Sequence, residues 1–120
     1  MGFNKLTCNI VLLVLPEEPQ LNKEIQNLNE AVVGGEDCHV IISFSGVEVV
    51  NSASLSSLII LRDLLNKNAR RLILCSVSFP TRCIFKVVGI ERLFEFSEDK
   101  ATALATLESG NAPANPAAPG

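Results

Sequence analysis

Hydrophobic and polar positions along this chain switch between two regimes. Nearly unbroken apolar runs at residues 8–15, 39–44 and 71–77 are bounded by Pro, Gly and small polar residues. Their lengths suit core β-strands. The first is continuous enough to be covered on both faces, and Pro16, which cannot donate to a ladder, ends it. Residues 2–7 read as a short edge strand and 93–96 as a short final one. Between the strands the period changes to three and four. Leu21, Glu24, Ile25, Leu28, Ala31 and Val32 predict an amphipathic helix that stops at Gly34 and Gly35. A second helix is expected over 52–67 and closes at Asn66, Lys67 and Asn68. A third is expected over 81–88, with Ser78 as N-cap and Pro80 in its first turn. It buries Ile84, Val87 and Val88 and stops at Gly89. A fourth is capped by Ser97, carries Glu98 and Asp99 at its positive end, and turns Ala101, Leu104 and Leu107 inward. The alternation, without internal repeats, predicts an α/β fold: a mixed β-sheet of about four to five strands with about four packed α-helices. It occupies residues 1–108. Residues 109–120, rich in Pro, Ala and Gly, form an expected disordered tail.

The stretch 47–58 organises the rest. A buried-type strand reaches Phe44, turns at Ser45 and Gly46, passes Val49 and Val50, and meets Asn51, Ser52, Ser54, Ser56 and Ser57 where a helix begins. This junction lies at a helix N-terminus near the carboxyl edge of a sheet, where α/β folds commonly place functional groups. At 100° per residue, Leu55, Leu58, Leu61 and Leu65 share one broad face with Ser54. Ser52, Ser56, Asp63 and Lys67 lie opposite, with Ile59 and Ile60 bracketing that polar arc. Two isoleucines beside a serine stripe fit a partner-docking surface. A neighbouring element covering them is the plainer alternative. Ser54 and Ser57 read as small spacers for close helix-to-sheet packing. Asn51 or Ser52 serves at least as an N-cap.

Composition narrows the field. The 120 residues are 48% hydrophobic, with six Phe, no Trp and no Tyr, and the formal net charge is −3. Few aromatics and no basic cluster beyond Arg70-Arg71 argue against nucleic acid. Cys8, Cys38, Cys75 and Cys83 form no C-x-x-C, and the one His, His39, follows Cys38 directly. No metal site or disulfide framework is expected, and the thiols read as small reduced core residues in a cytoplasmic protein. His39 reads as structural, since nothing pairs with it as a catalytic group. The run 10–15 is too short to cross a bilayer and lacks the flanks of a signal peptide. No paired carboxylates, P-loop or nucleophile elbow is present, and Lys86, Glu91 and Arg92 read as solvated charges. No enzyme activity, catalytic residue or cofactor is expected.

The segment Ile41-Ile-Ser-Phe-Ser-Gly-Val-Glu-Val-Val-Asn-Ser-Ala-Ser-Leu, continuing to Leu58, resembles the motif of the STAS domain family. That family includes bacterial anti-sigma factor antagonists and cytoplasmic domains of sulfate transporters. Its pattern is an apolar strand, a short turn, an apolar pair, and Asp-Ser-Ser/Ala-Gly-Leu opening a helix. Arg71-Leu-Ile-Leu-Cys, Val87-Val-Gly-Ile, Leu93-Phe-Glu-Phe and Asp99 with Ala103-Leu104 follow in the family's order, so the resemblance spans residues 8–107. Here Asn51 stands where the Asp usually is, Ala53 at the second small position, and Ser54 where the Gly is.

The resemblance implies a regulatory binding module. An anti-sigma factor that is a serine-protein kinase of the GHKL ATPase fold would phosphorylate Ser52, with Ser56 as a secondary candidate. It would dock over Asn51, Ser52, Ser56, Ile59, Ile60 and Asp63. A phosphoryl group adds about −1.5 to −2 charges, enough to reverse docking by repulsion and desolvation. The alternative that the resemblance implies is an accessory subunit of a membrane transport complex of the lipid or anion ABC type, independent of phosphorylation. No direct membrane insertion is expected. An N-terminal edge strand leaves a homodimer open.

Overall fold

A computed structural model of the chain describes residues 3–7 and 9–109. Gly2, Cys8 and nearly all of the expected tail lie outside them. Five strands form one sheet: β1 (Phe3–Thr7), β2 (Ile10–Val14), β3 (His39–Ser43), β4 (Leu72–Cys75) and β5 (Glu95–Ser97), side by side in chain order. The edge strand β1 runs antiparallel to β2, and every later pair is parallel. The sheet is therefore mixed, as the sequence predicts. Four helices complete the fold: α1 (Gln20–Val33), α2 (Ser52–Lys67), α3 (Phe79–Val87) and α4 (Lys100–Ser109). A 3₁₀ turn, Glu91–Leu93, precedes β5.

The apolar runs are unbroken because the central strands are buried on both faces. In register, Leu12 pairs with Ile41 and Ile41 with Ile73. Side chains alternate across each strand. Val11, Leu13, Val40, Ile42, Leu72 and Leu74 pack on one side with residues of α1, α2 and α3. Ile10, Leu12, Ile41, Ile73 and Cys75 pack on the other with Ala103 and Leu107 of α4. Three parallel crossovers thus put three helices on one face, and among the described residues α4 is the helix that covers the second.

Several local expectations are corrected. α3 begins at Phe79, because Ser78 caps it by accepting the Thr81 N–H, and Pro80 falls in the first turn. That start turns Thr81 and Phe85 inward. Val87, about 200° round the helix from Phe85, is 84% exposed, and Val88 is exposed at the C-cap. Phe85 is instead the aromatic hub, edge-on to Phe44, Phe94 and Phe96 with centroids 5.6–6.3 Å apart. Gly89 does end the helix, at φ +81°.

The last strand is shifted, because Leu93 closes a turn on the Ile90 carbonyl at 3.0 Å and pairing starts at Glu95. The fourth helix is capped by Asp99, whose Oδ1 accepts the Thr102 N–H at 2.8 Å, while Ser97 belongs to β5. Ala103 and Leu107 face inward and Leu104 is half-buried, but Ala101 is exposed. Among the thiols, Cys38 and Cys75 are core residues, whereas Cys83 is only half-buried on α3.

Candidate functional site

The loop from β3 to α2 is pinned by two valines. Val47, whose N–H reaches the Phe44 carbonyl at 3.0 Å, and Val50 are each 6% exposed. Val49, the other half of the expected apolar pair, points to solvent. Asn51 follows in extended conformation (φ −91°, ψ 170°), and its Oδ1 accepts the Ser54 N–H at 2.9 Å. Asn51 is therefore the N-cap. Ser52 occupies the first helical position with its side chain exposed, so its hydroxyl is not the capping group.

α2 sorts its residues as the sequence predicts on the inner side. Leu55, Leu58, Leu61 and Leu65 are buried over the sheet. Ser52, Ser56, Ile60 and Asp63 form an exposed outer row. Ile59 does not join it fully, because it packs half-buried against the main core, leaving Ile60 as the solvent-facing isoleucine. Asp63 pairs with Arg62 Nη1 at 3.0 Å, and Arg62 Nε donates to the Leu93 carbonyl at 2.6 Å. The outer row thus adjoins the 3₁₀ turn.

Ser54 and Ser57 are buried, but their hydroxyls serve neighbouring segments rather than the sheet, Ser57 the helix α1 and Ser54 the β2–α1 loop. Ser57 Oγ donates to Asn22 Oδ1 at 2.7 Å, and Asn29 Nδ2 donates to the Ser57 carbonyl at 3.2 Å. The small size of Ser57 lets α1 and α2 approach, and its hydroxyl joins the seam. Ser54 Oγ donates to Glu18 Oε2 at 2.6 Å, and the same oxygen accepts the Asn51 N–H at 2.9 Å. Glu17 Oε1 accepts the Glu48 N–H at 3.4 Å. Two carboxylates from the β2–α1 loop therefore clasp the loop that leads into α2. The sequence pattern marks Glu18 only as a loop residue. The available signal is its position, since loops at the carboxyl ends of adjacent parallel strands share one edge of the sheet.

His39 lies away from this corner, at the start of β3. Its Nδ1 accepts the Arg71 N–H at 2.9 Å. Burial lowers its pKa, aided by the Arg70 and Arg71 charges. Burial also raises the thiols of Cys38 and Cys75, holding both protonated. Arg71 and Glu95 form a bidentate pair at 2.6 and 3.0 Å that ties β4 to β5. Among the described residues no three His, Cys, Asp or Glu side chains are grouped to hold a metal ion. No helix among them is long and apolar enough to cross a membrane.

With this architecture in view, the comparison with known families is decisive. The profile described as "STAS domain" matches residues 22–103, well over half of the chain. The chain belongs to the STAS domain family. No curated protein matches it. Solved structures share the fold. An anti-sigma-factor antagonist (STAS) domain protein from Planctomyces limnophilus superposes with a TM-score of 0.76 at 18% identity, over 88% of this chain and 96% of its own. The Bacillus cell fate determinant SpoIIAA in its phosphorylated form gives 0.69 at 18% identity, over 88% and 96%. A serine-to-glutamate variant of Moorella thermoacetica RsbS gives 0.73 at 17%, over 89% and 93%. At these identities the likeness is one of fold. This STAS domain resembles anti-sigma factor antagonists in architecture, and its Asn51–Ser52 corner begins the helix that follows the third strand.

Proposed function

We propose that this STAS domain is a non-enzymatic regulatory module that binds an anti-sigma factor of the serine-protein kinase type in the cytoplasm, and that phosphorylation of Ser52 reverses the binding. One observation carries the reading. Ser52 is exposed at the first helical position, relieved of capping by Asn51, at the head of the exposed row Ser56, Ile60 and Asp63. Modification there need not break the fold. Asn51 and the half-buried Ile59 border the same surface, and Ser56, one turn along, is the secondary phosphoacceptor.

The physical effect of modification follows from charge. A phosphoryl group carries about −1.5 to −2 charges and three acceptor oxygens. The helix end tolerates that charge through its dipole. A partner packed on Ile60 and Ser56 would have to desolvate it. The relatives named above include SpoIIAA in a phosphorylated form and an RsbS variant with glutamate in place of a serine, which motivates the same chemistry here.

The test is binding of a purified GHKL-type anti-sigma kinase to the wild-type domain, Ser52→Ala and Ser52→Asp, by calorimetry. The reading expects wild type and Ser52→Ala to bind alike and Ser52→Asp to lose at least about tenfold in affinity, a deficit of roughly 1.4 kcal/mol. Equal recovery of all three variants with a membrane transport ATPase, and none with the kinase, would overturn it in favour of a transport-complex subunit.

A further inference from the structure

We propose that Glu18 is the resident anion at the start of α2, and that a phosphoryl group on Ser52 evicts it, releasing the β2–α1 loop from the site. The second half rests on the reading of Ser52 as the phosphoacceptor. Glu18 comes from a loop 33 residues away in sequence from the Asn51 amide that it accepts. Its Oε2 takes two donors there, the Asn51 N–H at 2.9 Å and the buried Ser54 hydroxyl at 2.6 Å. A helix N-terminus carries unsatisfied N–H groups and roughly half a positive charge. A carboxylate held against it satisfies both needs.

The geometry also shows why the arrangement can be undone. Only Oε2 is engaged, since Glu18 Oε1 is buried and accepts no hydrogen bond. The carboxylate is thus half-satisfied, at a cost that a competing anion would relieve. Ser52 lies in sequence between the two Glu18 donors, Asn51 and Ser54. A dianion on Ser52 would sit within one helical turn of Glu18 and compete for the same positive end with more charge and more oxygens. Glu17, whose Oε1 accepts the Glu48 N–H at 3.4 Å, and Glu48 add two further carboxylates to the same corner. Arg62 is held by Asp63 and the Leu93 carbonyl nearly three turns further along α2. A dianion on Ser52 therefore meets like charge, and the repulsion falls on the weaker clasp.

The neutral cap is part of the arrangement. By capping strength Asn and Asp are nearly equal, and by the helix dipole Asp would be favoured. With Glu18 against the Asn51 amide, an aspartate at 51 would face a second carboxylate. The experiment is a cycle of Asn51→Asp, Glu18→Gln and the double variant, read as thermal midpoints at low salt. Asn51→Asp is expected to lower the midpoint with Glu18 present and to leave it unchanged or raise it in the Glu18→Gln background. Equal shifts in both backgrounds would overturn the assignment of Glu18.

Eviction is read separately, by hydrogen exchange on protein carrying genetically encoded phosphoserine at 52. The Asn51 amide is expected to exchange about tenfold faster than in unmodified protein, the loss of roughly one charged hydrogen bond. Glu18→Gln should already show part of that gain. An Asn51 amide equally protected with and without phosphate would overturn eviction. Neither measurement needs a kinase or partner. A domain whose clasp opens but which binds no kinase fails only the function proposed above, and one that switches partners with the clasp intact fails only this inference.

Discussion

Asn51 Oδ1 accepts the Ser54 N–H at 2.9 Å, so the residue that caps α2 and the residue we propose for modification are adjacent but different. The division of labour is testable without a partner. Asn51→Ala is expected to cost about 1 kcal/mol, the usual worth of an N-cap. Ser52→Ala is expected to stay within about 0.5 kcal/mol of wild type. Urea denaturation separates the two, and equal losses would return the cap to Ser52.

Phe85 and Val87 make a second contrast on α3. Phe85 is wholly buried and contacts three other rings, whereas Val87 is 84% exposed. Phe85→Ala should destabilise by about 3–5 kcal/mol. Val87→Ser should change stability by no more than about 0.5 kcal/mol. Thermal unfolding of both variants settles the orientation of the helix.

Ser57 tests the seam between α1 and α2. Removing its hydroxyl as Ser57→Ala leaves Asn22 Oδ1 without its 2.7 Å donor and should cost about 1–3 kcal/mol. Ser57→Leu should destabilise at least as much, because added bulk at this buried position forces the two helices apart. Chemical denaturation midpoints give both values. A tolerated leucine would mean that the helices can separate freely.

Acidification should destabilise the fold in two windows. His39 has its pKa lowered below its ordinary 6.5 by burial and the neighbouring arginines. The unfolded chain therefore binds a proton more readily than the folded one, and stability falls as pH drops below about 6.5. Protonation would also put a hydrogen on Nδ1, which now accepts the Arg71 N–H. His39→Gln should flatten the loss between pH 7 and 5. A second decline, below about pH 4, belongs to Asp37 and Asp99. The Arg70 hydrogen bond lowers the first carboxyl and the Thr102 backbone N–H lowers the second. Thermal midpoints across pH 3–8 would show both steps, and a flat profile in the His39→Gln protein only above pH 5.

How much of this was legible follows from what each residue answers to. The bounds of α2 and its leucine face could be read because period, cap type and burial all agree there. The strands β2, β3 and β4 stood out because burial on both faces leaves no polar position to blur them. α3 was misphased because the start of a short helix decides everything, and Phe79 at its first position is apolar yet exposed, so it marks neither the start nor the buried face. Ser97 and Asp99 are both good caps, and only strand pairing with Cys75 removes Ser97 from the choice. Glu18 was beyond a one-dimensional reading. Its partners Asn51 and Ser54 lie on another loop, and the loops meet only because β2 and β3 are parallel neighbours.

The two faces of the sheet are completed on different schedules. As a chain emerges from its N-terminus, α1, α2 and α3 each follow a strand and can cover the front as it grows. The back, with Ile10, Leu12, Ile41 and Ile73, waits for Ala103 and Leu107. Until α4 is made, these strands carry a bare aliphatic slab. A chain cut before residue 100 would therefore expose that slab to self-association, and the helix that closes the back of the sheet is the one that ends this exposure.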